Sequence, residues 1–210
     1  MKFQKIDFEH WDRREIFQYF KGTTLYMNVH IDITEFLEQV RAAGIKFYPA
    51  FIHCLAGVAN AHDEFRYGYD GDGCVGIWAR LDPLYTVPRT GNPALFSMVA
   101  TEYCEGLHEF CARFEDDRRR AQNCGKLLCS GEIPPNAMGV TAVPGVHFSS
   151  FSFGGAESKP DLAPFFVIGK YEWKAGRLML PLCGEFAHEV NDGYHISCFF
   201  DALKEKLNIF

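Results

Sequence analysis

The sequence has no excess of basic residues. Its 210 residues include 21 lysines and arginines against 27 aspartates and glutamates, which gives a formal net charge of -6. A protein that holds a phosphate backbone needs clustered positive charge. The longest basic run, Arg118 to Arg120, directly follows Asp116 and Asp117, and we interpret it as a solvated helix end. Nucleic acid is therefore not expected as a partner.

Long hydrophobic runs are also lacking. No stretch approaches the roughly 18 apolar residues of a membrane-spanning helix, and the N-terminus from Met1 to Asp7 has no apolar core of signal-peptide length. We therefore expect a cytoplasmic protein. The 8 cysteines show no CxxC pair and no tight cluster, which argues against a metal site or a thioredoxin-like motif. Without an export signal, we expect these cysteines to be reduced.

Several catalytic signatures are missing. No GxSxG segment offers a serine nucleophile elbow, and no HExxH segment places two histidines on one helix face for a metal. A cysteine nucleophile has no local signature either and stays an open alternative. Gly71 to Gly76 does match GxGxxG, but Ile77, Trp78 and Pro83 follow it. Those residues predict a strand and a turn where a dinucleotide site needs a helix, so we interpret the glycines as a hairpin turn.

The chain does have ample material for a core. Hydrophobic residues make up 48% of it, including 20 phenylalanines and 9 tyrosines, which suffices for a sizeable interior and for aromatic-lined pockets. At about 150 residues per domain, the length predicts one unit. No repeat and no low-complexity linker divides it. We expect a single domain over residues 1–210.

The periodicity of the apolar residues predicts an α+β fold. Strands are expected at Thr24–Ile33, on both sides of the turn Tyr69–Gly73, and as a pair at Pro164–Trp173 and Arg177–Phe186. Helices are expected at Trp11–Phe20, from Thr34 to about Gly44, from Pro49 to Ala59, over about Glu105–Arg120, and after Gly193. The third of these helices is apolar nearly all round, so we expect it to be buried. Gln122–Asn136 is expected to form a long loop.

One segment stands out for its chemistry, namely HEVNDGYH at His188–His195. It lies where an apolar strand ends and a helix begins, which places His188 at the edge of a loop, suited to project into a cleft as a general base. The unperturbed pKa of histidine, ~6.5, suits that task at neutral pH. The alternative stays open at this point: Asp192 caps the last helix, Gly193 supplies the turn, and His188 is an ordinary polar residue.

The pattern HxxxDG at such a turn resembles the chloramphenicol acetyltransferase family and the related catalytic cores of dihydrolipoyl acyltransferases. The resemblance to the first family extends over nearly the whole chain. The matching segments are His10–Phe17, Ile31–Thr34, Lys46–His53, Asn60–Arg66, Phe96–Ser97, Pro144 with Phe148 and Phe151, Ala163–Phe165 and Gly169–Tyr171.

This resemblance implies a fold, an assembly and a reaction. The fold is a chloramphenicol acetyltransferase-like two-layer sandwich, with a large mixed β-sheet and helices packed on it. The assembly is a homotrimer whose active sites lie at the subunit interfaces. The reaction, which confers antibiotic resistance in that family, transfers an acetyl group from acetyl-CoA to a hydroxyl of chloramphenicol. It proceeds directly in a ternary complex, without an acyl-enzyme.

The resemblance also assigns roles to individual residues. His188 would be the general base. Thr141 stands where the family carries the serine that donates a hydrogen bond to the oxyanion, and its β-methyl group restricts χ1. Asp192 matches the aspartate that pairs with an arginine of the N-terminal helix, here Arg13, to hold the histidine loop.

Two further groups of residues match binding positions of the family. Tyr48 and Tyr171 match the coenzyme channel, and Lys46 and Lys170 beside them would either meet the CoA phosphates or be plain surface charges. The residues that match the acceptor pocket are Tyr19, Phe20, Phe96, Phe151 and Phe165. Aromatic walls suit a nitrophenyl-bearing acceptor, although phenylalanines serve equally well in a hydrophobic core.

The sequence departs from the family pattern around this site. The departures are Ala187 for the usual first histidine, Glu189, Val190 and Asn191 for Ala-Val-Cys, Gly145 for a tryptophan, Val167 for a common threonine, and Tyr26 and Asn28 for smaller or apolar residues. We therefore keep two alternatives: an acyltransferase of this fold with another acceptor, and a trimeric binding protein without catalysis. A lipoyl-dependent acyltransferase is less expected, because no lipoyl domain precedes the core.

Overall fold

The computed structural model describes residues 2–153 and 162–208. The strands are β1 (Phe3–Lys5), β2 (Thr24–Asp32), β3 (Tyr67–Tyr69), β4 (Val75–Trp78), β5 (Asp82–Arg89), β6 (Asn92–Ala100), β7 (Ala137–Ala142), β8 (Phe165–Ile168), β9 (Glu172–Lys174) and β10 (Arg177–Ala187). The helices are α1 (Arg14–Tyr19), α2 (Thr34–Ala42), α3 (Phe47–Ala61), α4 (Leu107–Asn123) and α5 (Gly193–Asn208).

The strands form one large and one small sheet. The large sheet has the order β2-β10-β8-β7-β5-β6, with β9 paired to the outer part of β10, and the small sheet has the order β1-β4-β3. In the large sheet, β7 runs parallel to both β5 and β8, whereas the other pairs are antiparallel. The large sheet is therefore mixed.

Side chains alternate between the two faces of the large sheet, as the pleat requires. Val140, Phe166 and Leu182 lie in the main hydrophobic core together with buried residues of α2, α3, α4 and α5. Val167 and Cys183 belong to a separate cluster with Phe148. The four helices thus cover one face. We call the other face, which carries Val167 and Cys183, the open face.

Helix α3 is buried as its apolar sequence predicts, because its residues from Pro49 to Ala59 are all buried. In the described part of the chain, no single helix has both the length and the apolar character to cross a membrane. Helices α2 and α3 pass that criterion only as a pair, and they meet at a bend of 117°.

Several predicted boundaries are corrected. Helix α1 begins at Arg14 rather than Trp11, and α4 runs to Asn123 rather than Arg120. The predicted strand Pro164–Trp173 is divided into β8 and β9, because Lys170 leaves the ladder and donates its N–H to the carbonyl of Val146. The predicted hairpin between β9 and β10 is confirmed, with positive φ at Ala175 and Gly176, as a two-residue turn of this kind requires.

The expectation of fully reduced cysteines is wrong for one pair. Cys124 and Cys129 form a disulfide with Cα atoms 5.8 Å apart, a separation that a disulfide can span. No local sequence pattern signals this pairing, because it depends on the path of the loop after α4. That path is fixed by β6, where the N–H of Met98 donates to the Leu127 carbonyl at 2.6 Å.

Candidate active site

The candidate base lies in a tight turn between β10 and α5, which we call the His188 turn (residues 188–192). Strand β10 ends at Ala187, paired with Thr24 of β2. The N–H of His188 then donates to the carbonyl of Thr23 at 2.8 Å, and the N–H of Asn191 donates back to the carbonyl of Ala187 at 2.9 Å. Backbone hydrogen bonds at both ends therefore fix where His188 leaves the sheet.

The His188 ring is held in one tautomer. Its Nδ1 lies 3.0 Å from the carbonyl oxygen of Asn191. A carbonyl oxygen can only accept, so Nδ1 carries the proton and Nε2 keeps its lone pair. The ring of Phe20 stacks on the imidazole with centroids 3.7 Å apart. A partly buried imidazole that is oriented in this way, with Nε2 bare, has the arrangement of a general base.

Arg13 ties the N-terminal segment to this turn. Its Nε donates to the carbonyl of Glu189 at 2.9 Å, its Nη2 approaches the carbonyl of His188 at 3.5 Å, and its Nη1 donates to the Asp192 carboxylate at 3.2 Å. The Arg13 side chain is only 14% exposed. The structure thus brings together His188, Asp192 and Arg13, and the guanidinium restrains the turn at three points.

Asp192 has two further contacts. One carboxylate oxygen accepts the N–H of Tyr194 at 3.0 Å, which caps α5, and the same oxygen lies 3.1 Å from His195 Nδ1. Partial burial opposes ionisation of this carboxyl. The hydrogen bond from Arg13 and the neighbouring His195 outweigh it, and the pKa of Asp192 falls below its ordinary value. We therefore expect Asp192 to be ionised when the turn is formed.

The sequence marked Glu189 only as a departure from the family pattern and did not predict its burial in this turn. Glu189 is fully buried, and neither carboxylate oxygen has a hydrogen-bond partner among the described residues. Burial raises the pKa of Glu189 above its ordinary value. The backbone of Gly22 and the charge of Lys21 oppose that shift, but no hydrogen bond of normal geometry forms. The His188 turn thus contains a buried acidic group whose carboxylate oxygens have no hydrogen-bond partner among the described residues.

The candidate oxyanion donor lies on the open face. Thr141 is on β7, next to its last residue, and its hydroxyl is 3.2 Å from that of Thr86 on β5. The register places Thr141 beside Val167, Val167 beside Cys183, and Cys183 beside Asn28. Because Val167 and Cys183 face away from the helices, the Thr141 hydroxyl belongs to the same row of side chains on the open face.

His188 and Thr141 do not meet within one chain. Cys183 is in the row of Thr141, and His188 follows it by five positions along β10. At strand spacing this separates the two Cα atoms by about 16 Å along β10 and about 10 Å across two strands. They lie towards opposite ends of the sheet's strands, since β10 is antiparallel to β8. One chain therefore carries two half-sites: a base half-site around His188 and a donor half-site around Thr141.

The two tyrosines expected to bind CoA pack against the main core, on the helix-covered side of the large sheet. Tyr48, at the start of α3, packs against Phe114, and Tyr171, just after β8, packs against Phe47. Burial raises the pKa of Tyr48, so its hydroxyl stays protonated and able to donate. The two lysines differ. Lys170 is exposed, whereas Lys46 forms an ion pair with Glu115 at 2.9 Å.

The residues expected to line the acceptor pocket are spread over the sheet. Tyr19 is 82% exposed at the end of α1, and Phe20 stacks on the His188 ring. Phe151 and Phe165 lie on the open face and are linked through Phe153 at centroid distances of 5.4 Å. Phe96, on β6, is half-exposed and lies beyond β5. One chain does not enclose these five rings in a single pocket.

Two residues that the sequence marked only as departures hold a segment over the open face. Asn28 donates from its amide to the carbonyl of Phe151 at 3.3 Å and accepts the Phe151 N–H at 2.8 Å. Tyr26 donates its hydroxyl to the carbonyl of Phe153 at 2.5 Å. This paired arrangement imitates a β-ladder and needs a short amide at position 28. It fixes the aromatic rings of Phe151 and Phe153 above the sheet.

No group of three or more His, Cys, Asp or Glu side chains in residues 2–153 and 162–208 is placed to hold a metal ion. The side chains described at the two half-sites supply an imidazole, hydroxyl groups and charged anchoring groups.

Comparison with known proteins gives consistent similarities. The chloramphenicol acetyltransferase family profile matches residues 1–204. A chloramphenicol acetyltransferase of Clostridium perfringens is 34% identical over 208 residues, which cover 98% of this chain and 94% of that protein. A solved chloramphenicol acetyltransferase superposes with a TM-score of 0.88 at 24% identity, over 98% of this chain and 100% of the other.

A second solved structure extends the comparison. The cubic core of the pyruvate dehydrogenase multienzyme complex superposes with a TM-score of 0.62 at 16% identity, over 88% of this chain and 81% of that one. Likeness at such identity concerns the fold alone. It confirms the α+β sandwich predicted from the sequence, with a large mixed sheet and helices on one face.

Proposed function

The chain belongs to the chloramphenicol acetyltransferase family and is an acyltransferase of that family, and from this premise we propose that it O-acetylates chloramphenicol in the cytoplasm with acetyl-CoA as the donor. The observation that carries the proposal is the His188 ring, whose Nδ1 is engaged by the Asn191 carbonyl at 3.0 Å. That contact leaves Nε2 as the only ring nitrogen able to take a proton.

The proposed reaction is one direct transfer in a ternary complex. His188 Nε2 takes the proton from the acceptor hydroxyl while the oxygen attacks the thioester carbonyl carbon. The Thr141 hydroxyl donates a hydrogen bond to the oxyanion that develops, a contribution of about 2.7–4 kcal/mol where such donors have been removed. When the carbon–sulfur bond breaks, the imidazolium returns its proton to the departing thiolate of CoA.

The proposed active site is shared between two subunits. Because His188 and Thr141 of one chain are about 19 Å apart by strand spacing, the base half-site of one chain must face the donor half-site of another. A closed ring of identical subunits satisfies every half-site, and we propose a homotrimer. The five candidate acceptor rings would then line one pocket from both sides of the interface.

The other candidate residues have supporting roles in this proposal. Asp192 and Arg13 fix the His188 turn and do not exchange protons with substrate. Tyr48, Tyr171 and Lys170 line the approach of CoA to Thr141. Lys46 reaches a CoA phosphate only by leaving Glu115, its present ion-pair partner.

The first test is acetyl-CoA-dependent acetylation of chloramphenicol, followed by mass spectrometry of the product. Mass spectrometry is needed because the chain has 8 cysteines, which would react with thiol-detecting dyes. We expect the wild type to form product, and we expect His188→Ala to lower kcat by about 10²–10⁴, the usual contribution of a general base.

The matched control is His10→Ala, since His10 is an exposed histidine that contacts only Asp7 among the described residues. Near-normal kcat in His188→Ala would refute the base assignment. If acetyl-CoA binds but no acetylated chloramphenicol forms, the acceptor is another alcohol, an amine or a thiol. Tyr26 and Asn28 depart from the family pattern and hold the Phe151 segment. These departures favour an acyltransferase with another acceptor over a binding protein without catalysis.

A further inference from the structure

Glu185 is the cross-strand neighbour of Phe165, one of the residues proposed to line the acceptor pocket. In the register of the large sheet it lies between Tyr26 on β2 and Phe165 on β8. It lies on β10, three positions before His188, and it shares the open face with Cys183, whose row contains Thr141. Glu185 therefore belongs to the donor half-site of its own chain.

The Glu185 carboxyl is short of donors. Tyr26 has one hydroxyl proton, and it donates that proton to the carbonyl of Phe153 at 2.5 Å, so the nearby Glu185 competes for it. Burial raises the pKa of Glu185 above its ordinary value, and the Tyr26 hydroxyl only partly offsets the shift. In residues 2–153 and 162–208, no lysine, arginine or histidine forms an ion pair with Glu185.

Aromatic residues flank Glu185 on both neighbouring strands. Tyr26 and Phe165 are its neighbours in the register, and Phe153 packs edge-on against Phe165 at 5.4 Å. A carboxylate beside aromatic faces is the combination that binds organic ammonium groups, through charge pairing and cation–π attraction. A neutral apolar group placed there would leave a half-buried carboxylate unpaired, which is unfavourable.

We propose that Glu185 is a specificity-determining residue that selects alcohol acceptors bearing a positively charged amino group. This proposal rests on the proposed acetyl transfer and names an acceptor class that the enzyme should prefer over chloramphenicol, which carries no charged amino group. Glu185 lies about 7 Å along the strand and about 10 Å across two strands from Thr141. The ammonium group of the acceptor therefore lies at the far end of the molecule from the hydroxyl that is acetylated, with a small aromatic or aliphatic body between them.

The test compares two alcohols of the same shape, para-(aminoethyl)benzyl alcohol and para-propylbenzyl alcohol, which differ in an ammonium group against a methyl group. We expect the wild type to favour the amino alcohol at least about tenfold in kcat/KM, and Glu185→Gln to bring the ratio near one. The neutral alcohol should not lose kcat/KM in the variant. Glu35→Gln is the control, because Glu35 is exposed on α2 and touches only Arg177 among the described residues.

Three results would overturn the proposal. They are a wild-type ratio near one, a ratio that Glu185→Gln leaves unchanged, and a Glu185→Gln protein that no longer assembles like the wild type by size-exclusion chromatography with light scattering. The last would assign Glu185 to subunit contacts. Calorimetric Kd values for the two alcohols measure the same preference without turnover. A protein that binds them selectively but acetylates nothing would refute the proposed function and leave the selectivity standing.

Discussion

The base half-site and the donor half-site are built from different kinds of interaction. Around His188, the chain is held by contacts between distant segments, with Arg13 reaching two backbone carbonyls and the Asp192 carboxylate. Around Thr141, the pairing of β7 with β5 and β8 fixes where the residue lies. Its side chain adds one contact, to the Thr86 hydroxyl. The orientation of His188 therefore depends on correctly paired charges. The position of Thr141 depends on backbone hydrogen bonds between strands, which a side-chain substitution leaves in place.

This contrast has a consequence for mutational effects. Removing the Asp192 charge should lower both rate and stability, because its ion pair with Arg13 orients the base and anchors the N-terminal segment. A hydroxyl removed at Thr141 should lower the rate alone, since the backbone ladder of β7 remains intact. The predictions below test whether the two half-sites are separate in space, and then whether they differ in this way.

The largest expected effect on the rate comes from mixing subunits of two inactive variants in the same trimers. We expect His188→Ala to lower kcat by about 10²–10⁴ and Thr141→Val to lower it by about 10²–10³. In randomly mixed trimers, about one quarter of interface sites would combine His188 of one variant with Thr141 of the other. Equal refolding of the two variants together should thus restore about a quarter of the wild-type rate, measured as acetylated product per subunit.

The control replaces one partner. When His188→Ala is refolded with a protein that carries both substitutions, no site has an intact base, and activity should stay at background. If mixing the two single variants restores nothing although they assemble together, the half-sites act within one chain, and the comparison of separate half-sites is wrong.

A smaller effect is expected for Asp192→Asn. The substitution leaves the Arg13 guanidinium, which is 14% exposed, without its carboxylate. Because Asp192 itself is partly solvated, we expect a loss of about 1–2 kcal/mol in stability and about 3–6 °C in Tm for a chain of this size. The rate should fall about tenfold as the His188 turn loosens. Circular dichroism melts and product assays on one preparation give both values.

The pH dependence of this loss has a definite sign. Since the folded pKa of Asp192 is lowered, its contribution to stability is present above the unfolded pKa and is lost as the pH falls through the folded pKa. The difference in Tm should therefore shrink in acid. Asp201→Asn removes an exposed i,i+3 partner of Lys204 and should change neither quantity. A wild-type rate together with a wild-type Tm for Asp192→Asn would reject the anchoring role.

Much of the base half-site could be anticipated from the sequence, because it is coded locally. The alternation of apolar residues predicted a strand that ends at Phe186, one residue before the observed end at Ala187, and Asp192-Gly193 marked the start of the helix. The pairing of Arg13 with Asp192 came only from the family resemblance, since no local pattern connects residues so far apart in the chain.

The donor half-site was less predictable, because it depends on register. Whether Thr141 shares a row with Cys183 is decided by how β7, β8 and β10 are aligned, and a shift by one residue would turn every side chain to the other face. The separation of Thr141 from His188 and the contact of Asn28 with Phe151 follow from that alignment. The burial of Glu189 is likewise a tertiary effect, since glutamate side chains are mostly exposed.

The smallest expected effect concerns Glu189, which makes the base half-site less stable than its ion pairs suggest. Its carboxylate is fully buried and without a hydrogen-bond partner among the described residues, so ionising it in the folded state is unfavourable. Glu189→Gln keeps the shape and removes the charge, and we expect a gain of about 1–2 kcal/mol at neutral pH. The exposed Glu38→Gln, on α2, should show no such gain.

The pH dependence separates this explanation from a simple packing effect. A carboxyl whose folded pKa is raised above its ordinary 4.5 binds more protons folded than unfolded between those two values. The unfolding free energy of the wild type should therefore fall as pH rises through that window. The advantage of Glu189→Gln should be full above the folded pKa and should vanish below about 4.5, the ordinary value. A gain that is constant in urea titrations from acid to neutral pH would mean that packing, rather than the buried charge, limits the stability of the His188 turn.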